Sequence, residues 1–267
     1  MLIDTHSHLH FHKSFPDYQE VLERAREAGV TRQILIGCEM SDSLRACQFA
    51  QQHDQLNWVI GIHPHEANQV TEENLKIIRQ VLGRTGEFSD LKKLPVAVGE
   101  IGLDYFRNIQ SPDKQREGFR KLLEIAMEFD LPVVIHIREA FDDARKILEE
   151  STVKKAVLHC FSGGMEQADW AWERGFLTSF TGSVTYPKNT VLMEVAKKAP
   201  AEMYMLETDC PYLPPQIHRG KRNEPAYVLD IAKHVAELRG ISLESVAAET
   251  TGNAEKFFYL GKNNLQA

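Results

Sequence analysis

Short apolar runs alternate with longer amphipathic stretches along most of the chain. The runs are rich in Val, Ile and Leu and begin at Leu2, Gln33, Asn57, Pro95, Pro132, Ala156, Phe176 and Met203, giving eight candidate strands. Between them, helical periodicity predicts helices over Tyr18 to Ala28, Ser43 to His53, Thr71 to Leu82, Gln115 to Phe129, Ala140 to Glu150, Met165 to Arg174 and Thr190 to Lys198. A last helical region, Ala226 to Arg239, is followed by two shorter ones, Leu243 to Glu249 and Ala254 to Tyr259. Gly83 to Leu94 is polar, carries two glycines and reads as a loop. Apolar strands separated by helices indicate a parallel sheet covered on both faces. Eight such units predict the α/β class, a (β/α)8 TIM-like barrel, as a single domain over 1–267. An open doubly wound sheet is the alternative, because periodicity alone does not separate the two.

Length agrees with this reading. The chain has 267 residues with no internal repeat and no long linker, and barrels of this kind run to about 250 residues as one domain. With 43% apolar and 26% charged residues, the composition is that of a folded globular protein. The formal charge of −7 argues against wrapping long duplex nucleic acid, which calls for a basic face. Any nucleic-acid substrate would need a small footprint, or bound cations to supply positive charge. The four cysteines, Cys38, Cys47, Cys160 and Cys210, form no CxxC pair, so free thiols and a reducing cytoplasm are expected. The start MLIDTHSHLHFH lacks a basic segment followed by an apolar one, and no run approaches the ~20 apolar residues of a membrane span. A cytoplasmic protein is expected, with no membrane association and no obligate protein partner.

Strand ends change the picture from fold to chemistry. The first run ends in Asp4-Thr5-His6-Ser7-His8, and residues two apart on a strand face the same way. Two imidazoles on one face can chelate a cation; the bland reading is a polar strand end. The third run leads to His63, the fourth to Glu100 and Asp104, the fifth to His136, the sixth to His159 and the eighth to Asp209. Such groups are costly to bury unpaired, and barrel enzymes keep their active sites at the carboxyl ends of strands. His6, His8, Glu100, His136, His159 and Asp209 could together hold two divalent cations, with a carboxylate bridging them.

Five segments occur in order: Ile3-Asp4-Thr5-His6-Ser7-His8, Gly61-Ile62-His63-Pro64, Gly99-Glu100-Ile101-Gly102-Leu103-Asp104-Tyr105, His159-Cys160-Phe161-Ser162-Gly163 and Glu207-Thr208-Asp209-Cys210-Pro211-Tyr212-Leu213. Together they resemble the signatures of the TatD-type metal-dependent deoxyribonucleases, members of the amidohydrolase-like metallo-barrels. His218 to Pro225 and Thr251-Gly252-Asn253-Ala254 fit as well. The resemblance implies a TIM-like barrel, divalent metals and hydrolysis, often at DNA 3′ ends. Carried over by position, it puts His6, His8, Glu100 and Asp209 on one metal, and Glu100, His136 and His159 on the second. Glu100 would be the bridge, where much of the wider superfamily uses a carboxylated lysine. Two positions depart from the family pattern: Ile137, where a small polar residue is frequent, and Phe106, where tyrosine is frequent. Neither is a ligand; both bear on substrate preference.

Each candidate has a bland reading beside the functional one. Asp209 is a proton carrier for the attacking water, or a structural carboxylate before Pro211. Glu100 is its partner in the catalytic pair. Glu207 shares the face of Asp209 and either supports a ligand or fills the interior. His63 contacts a substrate phosphate or packs beside the ligands. Arg138, just beyond His136, pairs with a phosphate or with Glu139 or Asp142. The short basic loop Arg219 to Asn223 is a solvated surface or a phosphate contact, with Arg222 and Asn223 the candidates. His65 is a weaker substrate candidate, His10 and His12 read as loop residues, and Cys160 and Cys210 as packing residues. No nucleophilic Ser or Cys motif, phosphate-binding glycine loop or dinucleotide fingerprint is found.

Three functions are therefore weighed. The first is trimming of DNA, single-stranded or at 3′ ends, through water activated at a two-metal site. The second is amide or ester hydrolysis by the same metals. The third is a non-catalytic metal-binding barrel. Histidine and carboxylate ligands suit zinc, manganese, nickel or cobalt, and magnesium less well.

Overall fold

The computed structural model describes residues Met1 to Gly261. In chain order the elements are β1 (Leu2–Ser7), α1 (Tyr18–Glu27), β2 (Val30–Ile36), α2 (Met40–Gln52), β3 (Leu56–Val59), α3 (Glu72–Leu82), β4 (Val98–Asp104), α4 (Pro112–Glu128), β5 (Val133–Arg138), α5 (Phe141–Glu150), β6 (Ala156–Leu158), α6 (Met165–Glu173), β7 (Leu177–Phe180), α7 (Thr190–Lys198), β8 (Tyr204–Leu206), α8 (Val228–Arg239) and α9 (Leu243–Phe257), with short 3-10 turns between some of them. Each expected strand is present within a few residues of its expected start. Residues 83–94 form a loop apart from one 3-10 turn, Gly86–Phe88. By contacts the described residues fall into two compact units, Met1–Leu35 with His159–Gly261, and Ile36–Leu158. The expected domain over 1–267 also takes in residues 262–267, which lie outside the described residues.

The first unit is organised by parallel pairs. β1 runs beside β2 with Ile3 opposite Arg32 and Asp4 opposite Gln33. β7 runs beside β8 with Ser179 opposite Met205. A parallel bridge from Ser7 to Cys210 joins the end of β1 to the chain leaving β8. β1 is buried at every residue, including its polar ones, as a strand covered on both faces must be. The helix expected to break near Gly252 is instead continuous from Leu243 to Phe257. A helical glycine costs about 1 kcal/mol relative to alanine. Anchoring offsets this: Val246, Ala254 and Phe257 are buried, and the Asn253 amide donates to Ala201 O and Tyr204 O at 2.8 and 2.9 Å. Asn253 in the Thr251 to Ala254 motif is thus a fold-holding residue.

The second unit repeats the principle. Ile60 bridges Val98, β4 pairs with β5 through Gly102 and His136, Leu103 and Ile137, and Asp104 and Arg138, and β5 pairs with β6. Ser111 caps α4 ahead of Pro112 and Thr71 caps α3, as residues that accept orphan helix amides do. Gly102 explains part of the third motif. Its φ is +139°, and a Cβ there would lie 2.0 Å from His136 O. Only glycine lets β4 approach β5 this closely beside His136.

Candidate metal centre

In the first unit, the end of β1 presents His6 and the following residue but one presents His8, both almost fully buried. The chain leaving β8 is laid against them by backbone hydrogen bonds. Asp209 N donates to His6 O and His8 N to Cys210 O, each at 2.9 Å. Asp209 adopts a left-handed backbone, φ +55°, a sparsely populated region. Its Oδ1 lies 3.6 Å from His6 Nε2 and 3.4 Å from His8 Nε2. Burial alone would raise this carboxyl; the His8, His6 and His159 imidazoles hold it below its ordinary value. Beneath lies Asp4, whose Oδ1 accepts from Thr208 N at 2.8 Å and Oδ2 from Thr208 Oγ1 at 2.6 Å. Burial pushes Asp4 up to about 7 despite these bonds. Asp4 thereby fastens the turn that carries Asp209 to the strand that carries His6.

His159 follows the end of β6, and its ring stacks on His6 with centroids 4.0 Å apart. Its Nδ1 lies 3.3 Å from Glu207 Oε1, which also accepts the Cys160 amide hydrogen at 2.6 Å. Cys160 is left-handed, φ +44°, so the chain turns sharply after His159. With Nδ1 facing a carboxylate, Nε2 is the nitrogen left available to a cation. Ligand atoms of His6, His159 and Glu207 lie within 4.8 Å of one another.

In the second unit, His136 on β5 has Nδ1 2.8 Å from Glu100 Oε1 and Nε2 3.2 Å from Asp104 Oδ2. Asp104 also receives His65 Nε2 at 2.9 Å and the Arg107 amide at 2.9 Å. Burial pushes Asp104 up, but the hydrogen bonds from His136, Arg107 and His65 outweigh it and hold the carboxyl below its ordinary range. Its backbone is clamped by Gln115, which accepts from Asp104 N at 2.7 Å and donates to Asp104 O at 3.0 Å. His63, after β3, lies 3.5 Å from Glu100 Oε1 through Nε2, and its Nδ1 accepts the His65 amide at 3.1 Å. A neutral ring whose Nδ1 accepts carries its proton on Nε2, which makes that nitrogen a donor suited to an oxygen.

A family model described as TatD related DNase matches residues 3–259. The chain belongs to that family. It is 38% identical over 260 residues to an uncharacterized metal-dependent hydrolase, YabD, of Bacillus subtilis, covering 97% of this chain and 99% of that one. It is 35% identical over 252 residues to a protein of Pantoea ananatis named 3′-5′ ssDNA/RNA exonuclease TatD, covering 91% and 94%. Among solved structures, the YjjV TatD homologue of Escherichia coli matches with a TM-score of 0.89 and 29% identity, over 97% of this chain and 98% of that one. With the alternating strands and helices, this likeness makes the fold class the expected (β/α)8 TIM-like barrel. The protein is a metal-dependent hydrolase of the TatD family.

The ligand types expected of a TatD-family hydrolase fit what each unit offers. Imidazoles and carboxylates cluster within coordination reach, buried His6, His159 and Glu207 in one unit and buried Glu100 with His63 and half-buried His136 in the other. Such donors suit a divalent cation, and a buried carboxylate among imidazoles needs compensating charge.

Other expected site residues sit differently. Arg222 donates to both carboxylate oxygens of Asp17, at 2.6 and 2.8 Å, and to Ser14 O at 2.7 Å, with its guanidinium 4.7 Å from the Phe15 ring centroid. Asn223 is fully buried. Its amide donates to Thr208 O and Tyr212 O at 2.8 and 2.5 Å and accepts from Glu224 N at 3.0 Å. These contacts occupy the groups a phosphate would need, so within the described residues both hold the loop after β8 in place. Asp4 and Asp104 were visible in their motifs without an assigned role. The signal available was a carboxylate preceding His6 by two in the first case, and a second carboxylate on the face of Glu100 in the other. Among the described residues, no helix is long and apolar enough to cross a membrane.

Proposed function

We propose that the protein is a nuclease that removes nucleotides from single-stranded DNA, or from the 3′ ends of DNA, by hydrolysing phosphodiester bonds. The observation that carries this reading is nearly full-length similarity to a relative named as a 3′-5′ ssDNA/RNA exonuclease; the histidine and carboxylate clusters at the strand ends support it. The ligand set is taken to be His6, His8, Glu100, His136, His159 and Asp209, holding two divalent metal ions. When bound, divalent cations make a water nucleophilic at neutral pH and offset charge on the phosphate oxygens.

The chain's own groups do the rest. Asp209, kept ionised by His8 and His6, accepts the proton of the attacking water and passes it to the leaving oxygen. Glu207 and Asp104 fix the rings of His159 and His136, and oriented ligand rings raise metal affinity. His63 donates an Nε2–H hydrogen bond to a phosphate oxygen. Glu100 shares the catalytic carboxylate role with Asp209. The single domain over 1–267 and a cytoplasmic setting belong to the same reading, and among the described residues no disulfide joins the four cysteines.

Amide or ester hydrolysis remains the second reading, because the basic loop after β8 is engaged within the fold and adds nothing in favour of phosphate. One experiment separates the two. Metal-loaded protein is incubated with end-labelled single-stranded DNA and RNA, and with a panel of simple esters and amides. Mononucleotide release that chelation abolishes is the expected result; turnover confined to the esters and amides overturns it.

A further inference from the structure

Arg138 is the last residue of β5 and pairs in register with Asp104, the last residue of β4. Tyr105 N donates to Arg138 O at 2.9 Å, so the two loops that leave these strands begin locked together. One residue further on, the Phe106 ring lies under the Arg138 guanidinium, 3.8 Å from ring centroid to Cζ. Phe106 is 53% exposed, so the stacked pair stands at the surface, within reach of a ligand.

The guanidinium is as telling as the ring. Arg24, Arg116 and Arg222 each donate to carboxylates. Among the described residues Arg138 has no such partner, although Glu139 and Asp142 are close in sequence. Glu139 itself is left-handed, φ +52°, so the chain turns away directly after Arg138. A cation held flat against an aromatic face keeps the N–H edge of its fork for another ligand. That edge matches the oxygens of a phosphate. Arg138 lies two residues beyond His136 and Phe106 two beyond Asp104, at the strand ends that carry the second unit's cluster.

Resting on the nuclease reading above, we propose that Arg138 and Phe106 form one substrate subsite. Arg138 takes a phosphate of single-stranded nucleic acid on its guanidinium edge. Phe106 is a positioning residue that keeps the fork planar and oriented. In a chain of net charge −7, a cation without an internal carboxylate partner beside the chemistry is where a phosphodiester substrate gains attraction.

The test measures binding of a hydrolysis-resistant, phosphorothioate-linked, fluorescein-labelled single-stranded oligothymidylate to metal-loaded protein across a salt series, together with kcat and KM on the ordinary oligonucleotide. Arg138→Gln should weaken binding about tenfold and reduce the slope of log affinity against log salt by about 0.7, one phosphate contact on a single strand. KM should rise more than kcat falls. Arg138→Lys keeps the charge but not the fork and should fall between the two. Phe106→Leu should weaken binding about threefold, and Phe106→Tyr should restore it, which a merely space-filling role does not predict. Metal content and melting temperature should match the parent in all four. If the parent binds and cleaves the oligonucleotide while Arg138→Gln and Phe106→Leu behave like it, this proposal fails and the nuclease reading stands. If the parent neither binds nor cleaves it but turns over a simple ester, both fail together.

Discussion

Glu207 Oε1 lies 3.3 Å from His159 Nδ1 and holds the Cys160 amide hydrogen at 2.6 Å. One carboxylate therefore sets both the ring of His159 and the turn that follows it. Loss of such a ring-orienting partner typically costs ten- to a hundredfold in metal affinity. Glu207→Gln, which can still accept the Cys160 amide, should lower affinity for zinc or manganese by about tenfold, and Glu207→Ala by nearer a hundredfold. Equilibrium dialysis with metal analysis gives the answer, and affinities equal to the parent's would leave Glu207 as an interior residue only.

Asp209 touches both His6 and His8 from a left-handed backbone. Asp209→Asn preserves size and tolerance of that conformation but cannot accept a proton. Turnover on DNA should fall by roughly 10²–10⁴, the range of a lost general acid/base, with the circular dichroism spectrum unchanged. Turnover near the parent's would remove Asp209 from the proton path.

How far these features were legible in the chain depends on the range of the interaction. His6 and His8 declare themselves by spacing, because a strand puts alternate residues on one face. The strand starts were readable because buried parallel strands are continuous apolar runs. The continuity of α9 was not, since propensity at Gly252 is overridden by the bonds of Asn253 to residues 49 and 52 positions away. Arg222 reads as an unengaged cation along the chain because its partner Asp17 lies 205 residues earlier. No local pattern marks that pairing. Likewise, the role of Asp104 in holding His65 and His136 arises only when strand ends meet.

Two glycines should respond oppositely to the same substitution. Gly102→Ala forces a Cβ to within 2.0 Å of His136 O at a φ of +139°, and should destabilise by about 2–4 kcal/mol while lowering metal retention by the His136 and Glu100 cluster. Gly252 lies inside α9 with nothing within 4 Å of an added Cβ. Gly252→Ala should therefore stabilise by about 0.5–1 kcal/mol. Urea denaturation of both variants checks the pair, and a stabilised Gly102→Ala would contradict the close approach of β4 to β5.

The last expectation concerns the clamp between Arg222 and Asp17. The Arg222 hydrogen bond, against a smaller opposing effect of burial, holds the Asp17 carboxyl well below its ordinary value of 3.8. A carboxyl depressed in the folded state stabilises the protein above its unfolded pKa, and that contribution is lost as pH falls through the folded value. The window thus lies below about pH 4, whereas between pH 5 and 8 the contribution of the pair should be full and independent of pH. Both side chains are about a third exposed, 32% for Arg222 and 38% for Asp17, so solvent screens the pair and its worth is about 0.5–1 kcal/mol. Asp17→Asn should lower the unfolding free energy by that amount at pH 7, and the deficit should shrink progressively below pH 4. Arg222→Ala should lose slightly more, because it also gives up packing on Phe15. Neither change should alter the salt dependence of oligonucleotide binding, in contrast to Arg138→Gln. A shallower salt slope in Arg222→Ala, with stability unchanged, would return Arg222 to the substrate and make the Asp17 pair a resting contact that nucleic acid displaces.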